Sequence, residues 1–174
     1  MASRRFLLAF LLFLVSRDVF CSESPDRIVE RFYDWAIHTV PGDPSGFKQG
    51  LDPARQLLGQ ELFLALEAQR AYEQTCVRLV PRGDIKPHML NQSPFFDAPD
   101  AVQFLESTRA VIKGDTARVF ARLSYDDAYP AMDTVILRRK DDRWAIVNIE
   151  WQAGRSLTKR LLKFSSYRCE PYRG

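Results

Sequence analysis

Side chains that could carry acid–base chemistry occur together in one stretch of the sequence. A cofactor-free isomerase or dehydratase needs a carboxylate in an apolar pocket and a phenol or protonated acid that donates to a developing oxyanion. The residues of these types are Tyr125, Asp126, Asp127, Tyr129 and Asp133. Their place in a connection between two predicted strands indicates exposure, because loops run over protein surfaces. The same group is suited to contact a protein partner, since exposed tyrosines supply amphipathic contact area.

Metal-ligating and nucleophilic motifs do not occur in the sequence. The two histidines, His38 and His88, are far apart, and no H-x-x-x-H or Cys/His cluster is present that would indicate zinc. A G-x-S-x-G nucleophile elbow and a phosphate-binding loop do not occur either. The sequence therefore predicts no metal and no cofactor, and it favours binding over catalysis without excluding an enzyme.

The charge balance argues against nucleic acid as a partner. The 174 residues carry a formal charge of +3, with 25 basic and 22 acidic residues. Removal of the predicted leader described below takes away Arg4, Arg5, Arg17 and Asp18, which leaves a charge close to zero. Arginines also crowd the predicted strands, but aspartates alternate with them. We interpret that region as a solvated face of mixed charge.

The N-terminus has the layout of an export signal. Two arginines precede an apolar run over residues 6–15, which would form a helix of ~15 Å, half of the ~30 Å that a bilayer core requires. We predict a signal peptide over residues 1–21, cut after Cys21, and one domain over residues 22–174 in the periplasm or outside the cell. Membrane contact is expected only if the leader stays uncut or Cys21 is lipidated.

Two cysteines, Cys76 and Cys169, remain in the mature chain. An even number of cysteines in an oxidising compartment indicates a disulfide between them. The alternative is that Cys76 is an ordinary buried thiol on an apolar helix face.

Helices are predicted in the first half of the chain. Ser24, Pro25 and Asp26 are typical of a helix start, and apolar residues then recur at helical spacing as far as Val40. A second helical system begins at Asp52 and runs towards Val80, with a possible division at Gly59. The Pro-rich residues 81–100 are predicted to be irregular.

Alternating apolar and polar residues predict four strands in the second half. These strands cover residues 108–113, 116–125, 132–140 and 143–151 and would form an antiparallel meander. A short last helix is predicted from Ser156. Helices followed by a sheet indicate an α+β domain in which N-terminal helices pack on a curved antiparallel sheet.

Three aromatic motifs carry a resemblance to a known family. They are Phe32-Tyr33-Asp34-Trp35, Ser93-Pro94-Phe95-Phe96 and the segment from Trp144 to Ile149. Together they resemble a bacterial family of small exported proteins of unknown function. The resemblance implies a cone-like, nuclear-transport-factor-two-like (cystatin-like) fold. Ile149 falls out of phase with Ile146, which predicts a bulge near Val147 or Asn148.

That superfamily contains isomerases, dehydratases, transport factors and inhibitory or immunity-type binders, so the resemblance alone does not select a function. We expect a non-catalytic module that binds a periplasmic or secreted protein or a small hydrophobic ligand. A cofactor-independent isomerase or dehydratase is the alternative. The candidate binding residues are Tyr33, Phe95, Phe96, Tyr125, Asp126, Asp127 and Tyr129.

Overall fold

Within the residues that it describes, the computed structural model shows an α+β protein with three α-helices and an open four-stranded antiparallel sheet. It describes residues 23–39, 51–79, 93–97, 102–125 and 130–165. The helices are α1 (Pro25–Thr39), α2 (Gln60–Leu79) and α3 (Leu157–Ser165), and short 3-10 turns cover Asp52–Ala54 and Gln152–Gly154. The strands are β1 (Val102–Lys113), β2 (Thr116–Tyr125), β3 (Ala131–Lys140) and β4 (Arg143–Glu150). The predicted α+β class is confirmed.

Helix α1 begins where the sequence predicts. The Ser24 hydroxyl accepts a hydrogen bond from the backbone N–H of Arg27 at 3.5 Å, and Pro25 occupies the first helical position, where no amide partner is needed. The helix buries one stripe of side chains that includes Val29, Phe32 and Ala36. On the sheet side, Glu30 accepts a hydrogen bond from Thr108 of β1 at 3.2 Å.

The sheet is a meander in the order β1-β2-β3-β4, with every neighbouring pair antiparallel. The turn between β3 and β4 is the pair Asp141 and Asp142, whose φ values of 50° and 58° are those of a type I′ turn. The turn between β1 and β2 places Gly114 at φ 59°, where glycine carries no steric penalty. Two-residue turns of this kind match the twist of the strands that they join.

Strand β4 contains the bulge that the sequence predicts. Asn148 lies opposite Ile136, whereas Ile146 lies opposite Leu137, so Val147 is the extra residue. The bulge changes the phase of the strand and allows both Ile146 and Ile149 to be fully buried.

The chain before α2 covers part of the outer edge of β4. The backbone N–H of Gly59 donates to the carbonyl of Ile146 at 2.8 Å, and the N–H of Ile146 donates to Leu57 at 2.8 Å. A Cβ atom at Gly59 would lie 3.1 Å from the Val147 side chain and 3.3 Å from the Ile146 carbonyl. Glycine therefore allows this close approach, and it separates the 3-10 turn from α2, which confirms the predicted division.

The core lies against one face of the sheet. The inward side chains of β2 are all buried: Ala117, Val119, Ala121, Leu123 and Tyr125. Aromatic rings from α1 and from residues 93–97 complete it. Phe95 makes edge-to-face contacts with Phe32 at 5.4 Å and Trp35 at 5.3 Å between ring centroids, and Phe96 stacks on Tyr33 at 6.2 Å. Such pairs add to the free energy gained from burial alone.

Arg160 of α3 holds the segment 93–97 in place. Its guanidinium donates to the carbonyls of Ser93, Pro94 and Phe96 at 3.3, 3.2 and 2.7 Å and to the Asp97 carboxylate at 3.2 Å. It also lies 4.3 Å from the ring centroid of Trp151. Burial lowers the pKa of Arg160, with Asp97 acting in the opposite direction. One side chain thus satisfies the carbonyl groups of a segment without regular secondary structure.

The largest boundary difference concerns β1, which begins at Val102 rather than near residue 108. Register shifts interrupt its pairing with β2 between Val102 and Phe104 and between Leu105 and Ser107. These irregularities break the alternation on which the prediction depends. None of the described helices has the length and apolar character needed to cross a membrane.

Replacement of Arg160 by Met should lower the free energy of unfolding by about 2–4 kcal/mol, because several carbonyls and the Asp97 carboxylate lose their charged donor. Met retains much of the apolar contact with Trp151. The measurement is urea unfolding at neutral pH. Lys159→Met is the matched control, since the Lys159 ammonium is exposed and contacts a single carbonyl, that of Gly154. Equal loss in the two variants would contradict the anchoring role of Arg160.

Candidate functional site

One of the candidate acid–base residues, Asp133, forms a buried hydrogen-bonded pair in the core with Tyr33, which the sequence indicates only as a candidate binding residue. The Tyr33 hydroxyl of α1 donates to the Asp133 carboxylate of β3 at 2.7 Å. Tyr33 is fully buried and Asp133 is 4% exposed. Asp133 precedes Val135 and Leu137 on the inward face of β3, so the strand itself directs the carboxylate into the core.

Burial raises the pKa of Asp133 to about 6, because desolvation penalises its ionised form. The nearby Asp97 carboxylate raises it further, whereas the Tyr33 hydrogen bond and the Trp151 indole lower it. Burial and the neighbouring Asp133 charge also raise the pKa of Tyr33 well above its ordinary value. Near pH 6 the Asp133 carboxyl can therefore gain or lose a proton, whereas the Tyr33 phenol stays protonated and acts as a hydrogen-bond donor.

An ion-pair cluster centred on Asp97 lies near the Tyr33–Asp133 hydrogen bond. Asp97 pairs with Arg155 at 2.6 Å and with Arg160 at 3.2 Å. The two guanidinium groups compensate a carboxylate whose side chain is 17% exposed. Asp97 is therefore paired with two guanidinium groups, and its negative charge disfavours the ionisation of Asp133.

The expectation of solvent exposure is wrong for two members of the acidic and aromatic group. Tyr125 is 7% exposed and Asp133 is 4% exposed, because both lie at inward positions of their strands. Asp126, Asp127 and Tyr129 lie outside the described residues.

The remaining sequence-predicted residues are also in the interior or outside the described part of the chain. Tyr33, Phe95 and Phe96 belong to the hydrophobic core, and their role in binding stays a prediction. Cys76 of α2 is 1% exposed. Cys169 and the predicted leader lie outside the described residues, so the disulfide and the export signal also stay predictions.

A large open groove lies elsewhere, between α2, α3 and the β3–β4 hairpin. It has a volume of about 1610 Å³. We call it the α2–α3 groove. Its apolar lining includes Leu58, Leu62, Ala65, Trp144, Val147, Leu161 and Leu162. Leu162 is 73% exposed and extends this apolar lining to the surface of α3. Neither Tyr33 nor Asp133 lines this groove.

One wall of the groove is basic. The hairpin contributes Arg138, Arg139, Lys140 and Arg143 to the lining, together with the single acid Asp141. The rest of the lining carries charges of both signs, Asp52, Arg55 and Glu61. The α2–α3 groove therefore has an apolar lining and an excess of positive charge along the hairpin, which we call the hairpin wall.

The arginines of the sheet differ in how they are paired. Arg118, Arg122 and Arg139 form ion pairs with Glu150, Glu106 and Asp115, in agreement with the predicted face of mixed charge. Within the described part of the chain, Arg138, Lys140 and Arg143 form no ion pair. Sequence reasoning did not separate these two groups because the pairing depends on cross-strand register. The nearest signal is the basic run at residues 138–140.

Among the described residues, no group of three or more His, Cys, Asp or Glu side chains is arranged to hold a metal ion. Comparison of the chain with protein family models, with curated proteins and with solved structures finds no match. The function is therefore inferred from the geometry.

The raised pKa of Asp133 predicts a specific dependence of stability on pH. A carboxyl whose pKa is about 6 in the folded protein and 3.8 unfolded stabilises the fold most below pH 4. That contribution is lost as the pH rises through 6. Asp133→Asn retains an acceptor for Tyr33 but cannot ionise. The stability of this variant relative to the native protein should therefore rise by about 2–3 kcal/mol between pH 4 and pH 7.

Urea unfolding across this pH range measures the effect. Asp141→Asn is the control, because it removes an exposed turn carboxylate and Asn tolerates the positive φ. If the stability of Asp133→Asn and that of the native protein change with pH in parallel, the pKa of Asp133 is not raised in the folded protein.

Proposed function

We propose that this protein is an exported binding module that holds a segment of a partner protein in the α2–α3 groove. The observation that carries the proposal is the combination of an apolar lining with a hairpin wall on which Arg138, Lys140 and Arg143 form no ion pair with a described residue. Side chains from three separate elements converge on this groove.

The size of the groove favours a polypeptide over a small ligand. Small-molecule sites are usually concave pockets of about 300–1,000 Å³ that enclose most of the ligand. The α2–α3 groove is larger, about 1610 Å³, and open. Amphipathic segments bind in such grooves by placing their apolar side chains along the lining.

The charge of the hairpin wall favours an acidic partner segment. Arg138, Lys140 and Arg143 would each gain an ion pair with a carboxylate at the edge of the groove. Such contacts at an interface rim mainly increase the association rate and the specificity. The apolar lining would supply most of the affinity.

The family resemblance, the export and the disulfide belong to the same proposal. The helices, the antiparallel sheet and the β4 bulge are compatible with a cone-like, nuclear-transport-factor-two-like fold. A periplasmic or secreted location would follow from cleavage of residues 1–21. A bridge between Cys76 and Cys169 would attach the C-terminal segment to α2.

An acid–base enzyme is the second candidate, because Tyr33 and Asp133 provide a phenol and a carboxyl with a pKa of about 6. Both side chains are closed off from solvent in the core, and neither lines the α2–α3 groove. A substrate would have to enter the core to reach them. The hydrogen bond therefore supports a structural role better than a catalytic one.

Peptide binding tests the proposal. Two fluorescent amphipathic peptides of about 15 residues would carry leucines at the same positions i, i+3, i+4 and i+7, with Glu in one and Lys in the other on the polar face. Anisotropy at low salt should show binding of the Glu peptide and much weaker binding of the Lys peptide. The double variant Arg138→Glu/Arg143→Glu should reverse this preference.

Matched controls come from residues outside the groove. Lys113→Glu changes an exposed basic residue that does not line it, and should leave the preference unchanged. Leu162→Ser should weaken binding several-fold, whereas Leu64→Ser, at a 55% exposed position of α2 outside the lining, should not. Binding that responds equally to the groove variants and the controls would refute the proposal.

Export and the disulfide are tested by intact-mass analysis of the protein from its own host. Cleavage after Cys21 should give a chain that begins at Ser22. A Cys76–Cys169 bridge should lower the mass by about 2 Da relative to the reduced protein, and peptide mapping should identify the linked pair. An intact Met1 would contradict export by a cleaved leader, and alkylation of both cysteines without reduction would contradict the bridge.

A further inference from the structure

Strand β1 is an edge strand with an exposed apolar surface. In the described part of the chain, β2 pairs with one of its edges, and no described backbone pairs with the other edge between Phe104 and Lys113. Of the six large hydrophobic side chains that are exposed among the described residues, three lie on β1: Phe104, Val111 and Ile112. The opposite edge of the sheet, on β4, is partly covered by Leu57 and Gly59. Exposed edges of this kind pair readily with another strand.

The bulge in β1 places four of its side chains on the same outer face. Phe104, Arg109 and Val111 lie opposite Ser124, Phe120 and Arg118 of β2, which alternate with the buried residues of that strand. Glu106 lies at the register shift between Leu105 and Ser107 and bonds to the outward Arg122 side chain. Without the bulge, Phe104 and Val111 would point to opposite faces, because they are seven residues apart.

We propose that β1 pairs with β1 of a second copy of this chain, antiparallel about a two-fold axis through Thr108. The bulge residues Glu106 and Ser107 count as one position, since two residues of a bulged strand oppose one residue of its partner. Phe104 then lies opposite Val111 of the second copy. Glu106 with Ser107 lies opposite Arg109, and Leu105 lies opposite Ala110.

This register is complementary from Phe104 to Val111. Phe104 and Val111, which are 52% and 48% exposed, cover each other on the outer face. Glu106 meets Arg109, which stacks on Phe120 and makes no ion pair with a described residue. Side chains on the outer face of one β1 strand lie beside side chains on the outer face of the other, and the same holds for the inner face. A two-fold axis perpendicular to the sheet requires this match, because the two strands are identical.

The inference does not depend on the α2–α3 groove, which lies at the other edge of the sheet. Opposite charges placed across two strands stabilise the pairing and like charges weaken it. Because the axis is two-fold, each pair occurs twice, and one substitution changes two contacts in the dimer.

Sedimentation velocity of the full chain over a concentration series tests the inference. The native protein should pass from monomer to dimer as concentration rises. Arg109→Glu places a carboxylate opposite Glu106 of the other copy, at two symmetry-related places in the dimer. The dissociation constant should rise at least about tenfold at low salt. The triple variant Glu106→Arg/Arg109→Glu/Arg122→Glu reverses the whole charge set and should restore dimerisation.

The apolar part of the interface has its own variant and control. Phe104→Lys should weaken the dimer, whereas Met132→Lys makes a comparable change on the same face of β3 and should not. Circular dichroism confirms that each variant is folded. A native protein that stays monomeric at all concentrations would overturn the inference. Equal loss of the dimer in Phe104→Lys and Met132→Lys, or no recovery in the triple variant, would also overturn it.

Discussion

The burial of the Asp133 carboxylate constrains the elements that surround it. An ionised group in an apolar interior costs several kcal/mol unless it receives hydrogen bonds or opposite charge. The hydroxyl of Tyr33 provides the donor, and it comes from α1, 100 residues away in the sequence. The second carboxylate, Asp97, would add to the cost if it were not paired with Arg155 and Arg160. Helix α1, the segment 93–97 and α3 thus contribute groups to one polar arrangement within the core.

Most of the secondary structure could be predicted because it depends on local physics. Capping at Ser24, the turn at Asp141 and Asp142 and the division at Gly59 each follow from what a few neighbouring residues can adopt. The bulge at Val147 could be predicted because an apolar pattern that changes phase requires an extra residue. The start of β1 could not be predicted, because two register shifts within six residues remove the alternation of apolar and polar residues by which a strand is recognised.

The candidate site was less accessible to sequence reasoning, for two different reasons. From the sequence, Asp133 is expected to be exposed because it is grouped with the connection between two predicted strands. Its spacing of two and four residues from Val135 and Leu137 is nevertheless the signal that directs it inward. The α2–α3 groove has no comparable signal. Its lining combines residues near position 60, the hairpin near 140 and α3 near 160, so only the tertiary arrangement brings them together.

The two surfaces inferred for this protein lie at opposite edges of the sheet, which has a consequence for binding. Pairing through β1 leaves β4 and the α2–α3 groove at the outer ends of a continuous eight-stranded sheet. Seven strand spacings of ~4.8 Å separate the two β4 strands by roughly 34 Å. A perpendicular two-fold axis keeps the faces that carry the buried residues on the same side. A partner with two acidic segments could then occupy both grooves, and the second contact would benefit from a high effective concentration if the linker spans this distance. Modest affinity at each groove would therefore be compatible with firm retention of a bivalent or oligomeric partner.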